Sequence, residues 1–192
     1  MARIPENQAV FFEFDGVIAA SPRLNEEGGI DYLPGALDAL ARVDPTRFRI
    51  FIATNRMDIA FGSLREREFR KVCERFLEDA RERGVRITKI YTCPYHPKGR
   101  AKFKKDSVFR KPAPGMFKMA QQEFDLNLSR CWKIGHTTCD MLAGSRAGMG
   151  TILVGTGEAG KDGEYHVEAH FEEPDIANAV YRVNCFEHAL RV

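Results

Sequence analysis

The sequence has little of what marks several common protein classes. No stretch approaches the ~18 consecutive apolar residues of a membrane span. The formal net charge is only +2, from 29 basic and 27 acidic residues, so no charge excess draws the chain to nucleic acid or to a membrane surface. There is no internal repeat and no low-complexity segment. Cysteine comes to five, at 73, 93, 131, 139 and 185. That odd, scattered set reads as reduced thiols of a cytosolic protein, not as a disulfide framework. The first residues, Met1 to Asn7, turn acidic and polar before a signal-peptide core can form, which sets the expectation of a cytoplasmic protein.

What is present describes an ordinary globular chain. Apolar residues make up 44% and charged residues 29% of 192 residues, enough apolar matter for a sizeable core and too much for a disordered protein. At roughly 150 residues per domain, one domain over 1–192 is expected, with at most a small insertion. Fourteen Phe against five Tyr and one Trp point to a Phe-rich core.

Strand-like and helix-like blocks alternate. Strands are expected at 9–14, 48–53, 85–92, 131–134 and 151–154, with a short one near 166–171. Helices are expected at 34–43, 63–83, 112–124 and 138–147, with a short one near the end. The 63–83 helix places Phe69, Val72, Cys73, Phe76 and Leu77 on one face, and Gly84 closes it. This order implies an α/β fold, a Rossmann-like parallel sheet flanked by helices. Ligands of such sheets bind beyond the carboxyl ends of the strands. The residues to watch are therefore 13–17, 54–57, the loop before Lys111, and 135–140. The basic loop Lys98 to Lys105 carries only Phe103 as a stacking platform, so it gives little support to nucleic-acid binding.

These segments, Glu13-Phe14-Asp15-Gly16-Val17, Thr54-Asn55, Arg110-Lys111-Pro112-Ala113-Pro114-Gly115-Met116 and Gly135-His136-Thr137-Thr138-Cys139-Asp140-Met141, together resemble the four motifs of the haloacid dehalogenase (HAD) superfamily of phosphatases. The nearer resemblance is to the branch holding the heptose bisphosphate and histidinol-phosphate phosphatases. It implies a HAD-like fold with little or no cap domain, because the loops 21–32 and 93–111 are short, and a small phosphorylated molecule or phosphate as ligand. It also implies roles. An Asp at position 13 attacks phosphorus to form an aspartyl-phosphate. Asp15 acts as general acid, then base. Thr54 and Lys111 hold phosphoryl oxygens, with Asn55 and Arg110 as further substrate contacts. Positions 13, 15, 136 and 140 surround Mg²⁺, which screens the attacking carboxylate from an anionic substrate.

Two positions depart from that pattern. Glu13 stands where the nucleophilic Asp belongs, and its extra methylene moves the carboxylate to where phosphorus would be. A misplacement of about 1 Å costs about 10²-fold in rate. His136 replaces an oxygen ligand that Mg²⁺ prefers. Aspartyl-phosphate catalysis is therefore expected to be lost or severely weakened. A protonated His136 pairing with Glu13 or Asp140 would take over part of the ion's charge balance. Three functions stay open: a degenerate phosphatase that binds phosphate or a protein, a working Mg²⁺-dependent phosphomonoesterase, and a scaffold or regulatory partner that uses no pocket.

Several blander assignments compete. Asp140 is as readily a helix cap as a site residue, and Arg110 a solvated loop residue. His136 and Cys139, three apart, could share a helical face and, with Glu13 and Asp140, bind a softer metal such as Zn²⁺ or Ni²⁺. The zinc loop of the heptose phosphatases is matched only by Cys93, with His96 one place out of register and Ser107-Val108-Phe109 replacing the second pair. A structural zinc needs four ligands, so none is expected.

Overall fold

The computed structural model describes residues 7–186. Strand β1 (Ala9–Phe12) leads into a hairpin of β2 (Ala19–Leu24) and β3 (Ile30–Tyr32). Helix α1 (Ala36–Ala41), strand β4 (Arg49–Asn55), helices α2 (Met57–Phe61) and α3 (Glu66–Glu82) and strand β5 (Ile87–Cys93) follow. The second half runs α4 (Gly115–Phe124), β6 (Trp132–Gly135), α5 (Thr138–Ala147), β7 (Gly150–Val154), β8 (Phe171–Glu173) and α6 (Ile176–Cys185). Six strands form one sheet in the order β5-β4-β1-β6-β7-β8, every neighbour parallel. This is the α/β architecture expected from the alternation of strands and helices.

The central strand shows why its sequence is a continuous apolar run. Side chains alternate across a strand, and this sheet is covered on both faces. Val10 and Phe12 enter one core with Leu40, Phe76 and Val180, while Ala9 and Phe11 enter a second with Phe51, Phe117 and Ala143. Phe11 stacks on Phe51 at 4.9 Å and meets Phe117 edge-on at 5.1 Å. Each such ring, fully removed from water, contributes about 1.5–3 kcal/mol.

Several expectations need correction. The 21–32 segment is not a loop but most of the antiparallel β2–β3 hairpin, the whole of the insertion after β1. Helix α2 interrupts the path from β4 to α3. The expected 63–83 helix begins only at Glu66, and Leu77 stands 42% exposed rather than in the core. The last strand begins at Phe171, not near His166. No described helix is long and apolar enough to cross a membrane.

Candidate active site

β1, β4 and β6 all end on one side of the sheet, and the loops beyond them bring the motif residues to one cleft of about 710 Å³. Glu13, Asp15, Asn55, Arg110, Lys111, His136 and Asp140 all line it. The chain leaves β1 through a turn in which Gly16, at φ +71°, donates its N–H to Ala19 O at 2.9 Å. After β6, Thr137 caps α5 by accepting from Asp140 N at 3.1 Å. Asp140 is then packed against Gly135, where any Cβ would fall within 2.6 Å of the carboxylate. Asp140 thus takes part in the cap and in the site at once.

The centre of the cleft is a buried charge cluster. Lys111, 2% exposed, places Nζ against Glu13 Oε2, 2.5 Å from Asp140 Oδ1 and 3.0 Å from Ala53 O. A second ammonium reaches the same carboxylates from β6. Lys133, 0% exposed, has its Nζ 3.1 Å from Asp140 Oδ1, an ion pair rather than a well-aligned hydrogen bond. It lies 3.9 Å from Glu13 Oε2. The remaining carboxylate oxygens are also engaged. Glu13 Oε1 accepts from Phe14 N at 3.0 Å, and Asp140 Oδ2 accepts from Thr137 Oγ1 at 3.0 Å and His136 N at 3.3 Å.

Burial alone would raise the Asp140 carboxyl, but Lys111 and Lys133 outweigh it and hold the group well below its usual range. Burial works against the Lys111 charge too, yet Asp140 and Glu13 win and raise it. Lys133 is pulled below its ordinary value by burial, with Asp140 acting against that pull and Lys111 adding to it.

Asp15 belongs to a separate pair. Arg56, 3% exposed, grips it with both guanidinium ends, Nη2 on Oδ2 and Nη1 3.2 Å from Oδ1. The guanidinium also lies 4.8 Å over the Phe69 ring. Burial raises the Asp15 carboxyl, and Arg56 opposes that without cancelling it.

The remaining motif residues divide. Asn55, expected as a substrate contact, lines the cleft, and its amide closes a pair of bonds on the Lys111 backbone, Nδ2 to Lys111 O and Lys111 N to Oδ1, both 3.0 Å. Thr54 Oγ1 is buried with no hydrogen-bond partner among the described residues, and so is Arg110 Nη1. Leaving such atoms unmet costs about 1–3 kcal/mol each; Arg110 lines the cleft and can meet a polar ligand there, whereas Thr54 is fully buried outside its lining. Arg110 Nη2 lies 3.1 Å from Met57 Sδ.

The expected pairing of His136 with Glu13 or Asp140 is not what holds those carboxylates, since the lysines do. The imidazole lies between Gly16 and Gly157. A Cβ at either glycine would come within 2.8 and 2.4 Å of the ring. Its Nδ1 accepts from Glu158 N at 2.9 Å, which places the ring proton on Nε2. Burial pushes the Cys139 thiol up to about 12. Among the described residues no three His, Cys, Asp or Glu side chains are gathered as metal ligands. Cys93 is buried in the second core, and His96 Nδ1 accepts from Lys98 N at 3.0 Å.

Arg56 and Lys133 were missed in the sequence. For Lys133 there was a signal: a lysine inside Cys131-Trp132-Lys133-Ile134, a strand buried on both faces, needs carboxylate partners. Arg56 adjoins a motif residue but carries no pattern of its own.

Known proteins fit this geometry. A HAD-hydrolase-like family model matches residues 108–180. The D-glycero-beta-D-manno-heptose-1,7-bisphosphate 7-phosphatase of Yersinia pestis is 32% identical over 153 residues, covering 78% of this chain and 81% of the relative. The D-glycero-alpha-D-manno-heptose-1,7-bisphosphate 7-phosphatase of Burkholderia mallei is 34% identical over 157 residues, covering 78% and 80%. Among solved structures, the D,D-heptose 1,7-bisphosphate phosphatase of B. bronchiseptica, complexed with magnesium and phosphate, superposes with a TM-score of 0.79 at 23% identity, covering 93% of this chain and 98% of that one. With its parallel sheet, its four motif segments meeting in one cleft and its extended identity to these phosphatases, the chain belongs to the HAD-like hydrolases.

Proposed function

We propose that this chain binds a small phosphorylated molecule in the cleft, and that its capacity for aspartyl-phosphate chemistry is lost or severely weakened. The observation that carries this reading is the position of Lys111. Its Nζ is bonded to Glu13 and Asp140 together. The carboxylate that would have to attack phosphorus is therefore tied to the ammonium that would have to hold a phosphoryl oxygen. Asp15, which would move the proton, is held by Arg56 at both carboxylate oxygens. Ligand contact falls to Arg110, which lines the cleft with an unmet guanidinium nitrogen that suits phosphate oxygens, while Thr54 is fully buried behind it. Asn55 is a positioning residue for Lys111.

Magnesium is present in the heptose phosphatase of B. bronchiseptica, but the donors here do not fit it. The Asp140 oxygens and Glu13 Oε2 face ammonium or N–H and O–H donors. His136, at a ligand position in the family pattern, has its Nδ1 lone pair on Glu158 N. The zinc loop likewise lacks its second pair of ligands in the sequence.

The test is phosphate release from heptose bisphosphate, histidinol phosphate, a 3′-phosphorylated oligonucleotide and an aryl phosphate, each with and without Mg²⁺. Expected is no turnover by the native protein, and activity from a Glu13→Asp/His136→Asp/Lys133→Met variant. Mg²⁺-dependent turnover by the native protein would replace this reading with a second one, a working heptose-bisphosphate-type phosphatase. That alternative draws on the 32% identity to the Yersinia pestis enzyme and on Asp15, Lys111 and Asp140 standing at motif positions.

A further inference from the structure

We propose that Lys133 is a built-in counter-ion whose ammonium takes the place of a divalent cation between Glu13 and Asp140 and closes the site to metal. This rests on the reading of the cleft given above and names the residue responsible. On β6 the side chains alternate, Trp132 and Ile134 entering one core, so Lys133 points to the other face. It is fully buried there, and a buried ammonium persists only beside compensating charge. Its Nζ finds two carboxylates, Asp140 Oδ1 at 3.1 Å and Glu13 Oε2 at 3.9 Å. Lys111 Nζ meets the same two oxygens. Two carboxylates and two ammoniums make a neutral quartet that leaves no charge for a dication to balance.

The protein is also shaped around this lysine. Gly144, on α5, faces its stem, and a Cβ there would lie 3.0 Å from Lys133 Cβ and 2.6 Å from Thr151 Cγ2. Glycine therefore leaves room for the side chain to run up β6 to the carboxylates. Mg²⁺ needs near-octahedral oxygen ligands at about 2.0–2.1 Å. Asp140 Oδ1 already lies 2.5 and 3.1 Å from two ammonium nitrogens, so an ion on that oxygen would be pressed against like charge. His136 alone does not explain the exclusion, because a carboxylate put in its place would leave both lysines where they are.

The experiment is Mn²⁺ binding by paramagnetic resonance and calorimetry, with thermal unfolding in Mg²⁺ or EDTA. The proteins are the native chain, His136→Asp, Lys133→Met and Lys133→Met/His136→Asp. Expected is no saturable binding and no thermal shift for the native chain or for His136→Asp. The double variant should bind Mn²⁺ saturably, at least about tenfold more tightly than the detection limit that bounds His136→Asp, and unfold at a higher temperature in Mg²⁺. Binding by the native chain, or equal binding by His136→Asp and the double variant, overturns the proposal, as does a folded double variant that binds no metal. If Lys133→Met fails to fold, Lys133→Gln takes its place in both variants. The readout is occupancy, not turnover. Metal-free phosphatase activity would overturn the functional reading and leave this inference standing, and metal binding without activity would do the reverse.

Discussion

Asp140 and Asp15 both line one cleft and have opposite electrostatics. Asp140 is 1% exposed, and two ammoniums drive its carboxyl well below the ordinary value of 3.8. The Asp15 side chain is 28% exposed and meets one guanidinium through two bonds, yet its carboxyl is raised. The more deeply buried acid is the stronger one. Burial therefore does not set the sign of the shift; the number of cations that share the burial does. On the Asp140 side the charges are interlocked and removing one strands the others. On the Asp15 side one guanidinium serves both Asp15 and, at 3.8 Å, Asp58.

The largest break in this comparison is Lys111→Met. It leaves two buried carboxylates to one lysine and should cost about 3–5 kcal/mol in urea unfolding. A loss under about 1 kcal/mol would mean the cluster is not interlocked. Arg56→Lys leaves the Lys111 cluster untouched. It gives up one of two bonds to Asp15, the bond to Asn55 O and the contact with Phe69, for about 1–2 kcal/mol, and should bring no Mn²⁺ binding.

The acid limb of stability should sharpen the contrast. A carboxyl lowered on folding stabilises above its unfolded value near 3.8, and that stability is lost as pH falls through the folded value. Asp140 acts this way. A raised carboxyl does the reverse. Asp15 gives stability that is present at acid pH and lost as pH rises from about 3.8 through its folded value. Asp140→Asn should therefore flatten the rise of stability with pH below about 3.8, and Asp15→Asn should steepen it above about 3.8. Denaturant midpoints measured from pH 2 to 7 would show it, and equal slopes of both variants in each window would contradict the assignment.

Gly144→Ala is a smaller probe. Crowding against Lys133 and Thr151 costs about 1–3 kcal/mol, and about 1 kcal/mol returns as helix propensity, leaving a net loss near 1 kcal/mol. Smallest is Arg83→Ala, which breaks an exposed pair with Asp38 and should stay within about 0.5 kcal/mol.

Much of the fold was legible because its periods are long. Helix 138–147 was read with both ends right, since Thr137 caps its start and Gly148 follows its last residue. The hairpin was not, because Ala19-Ala20-Ser21-Pro22-Arg23-Leu24 contains a proline and does not alternate. Helix α2, five residues long, is too short to show a period. In the site, the motif residues could be placed by spacing, but their bonds could not. Asn55 binds the backbone of Lys111, 56 residues away, and Lys133 meets Glu13 across two strands. Such pairings come from register, which a linear pattern does not contain.

The seat of His136 has one more consequence. The ring fills the space between Gly16 and Gly157 and accepts from Glu158 N. Gly160 N donates to His136 O at 2.9 Å, and Thr156 Oγ1 to Gly16 O at 2.6 Å. The loops after β1 and β7 are fastened to each other through this residue. A side chain smaller than the ring would leave part of that gap empty and release the Glu158 amide. The residue after β6 therefore sets how firmly the loops on either side of the cleft hold together.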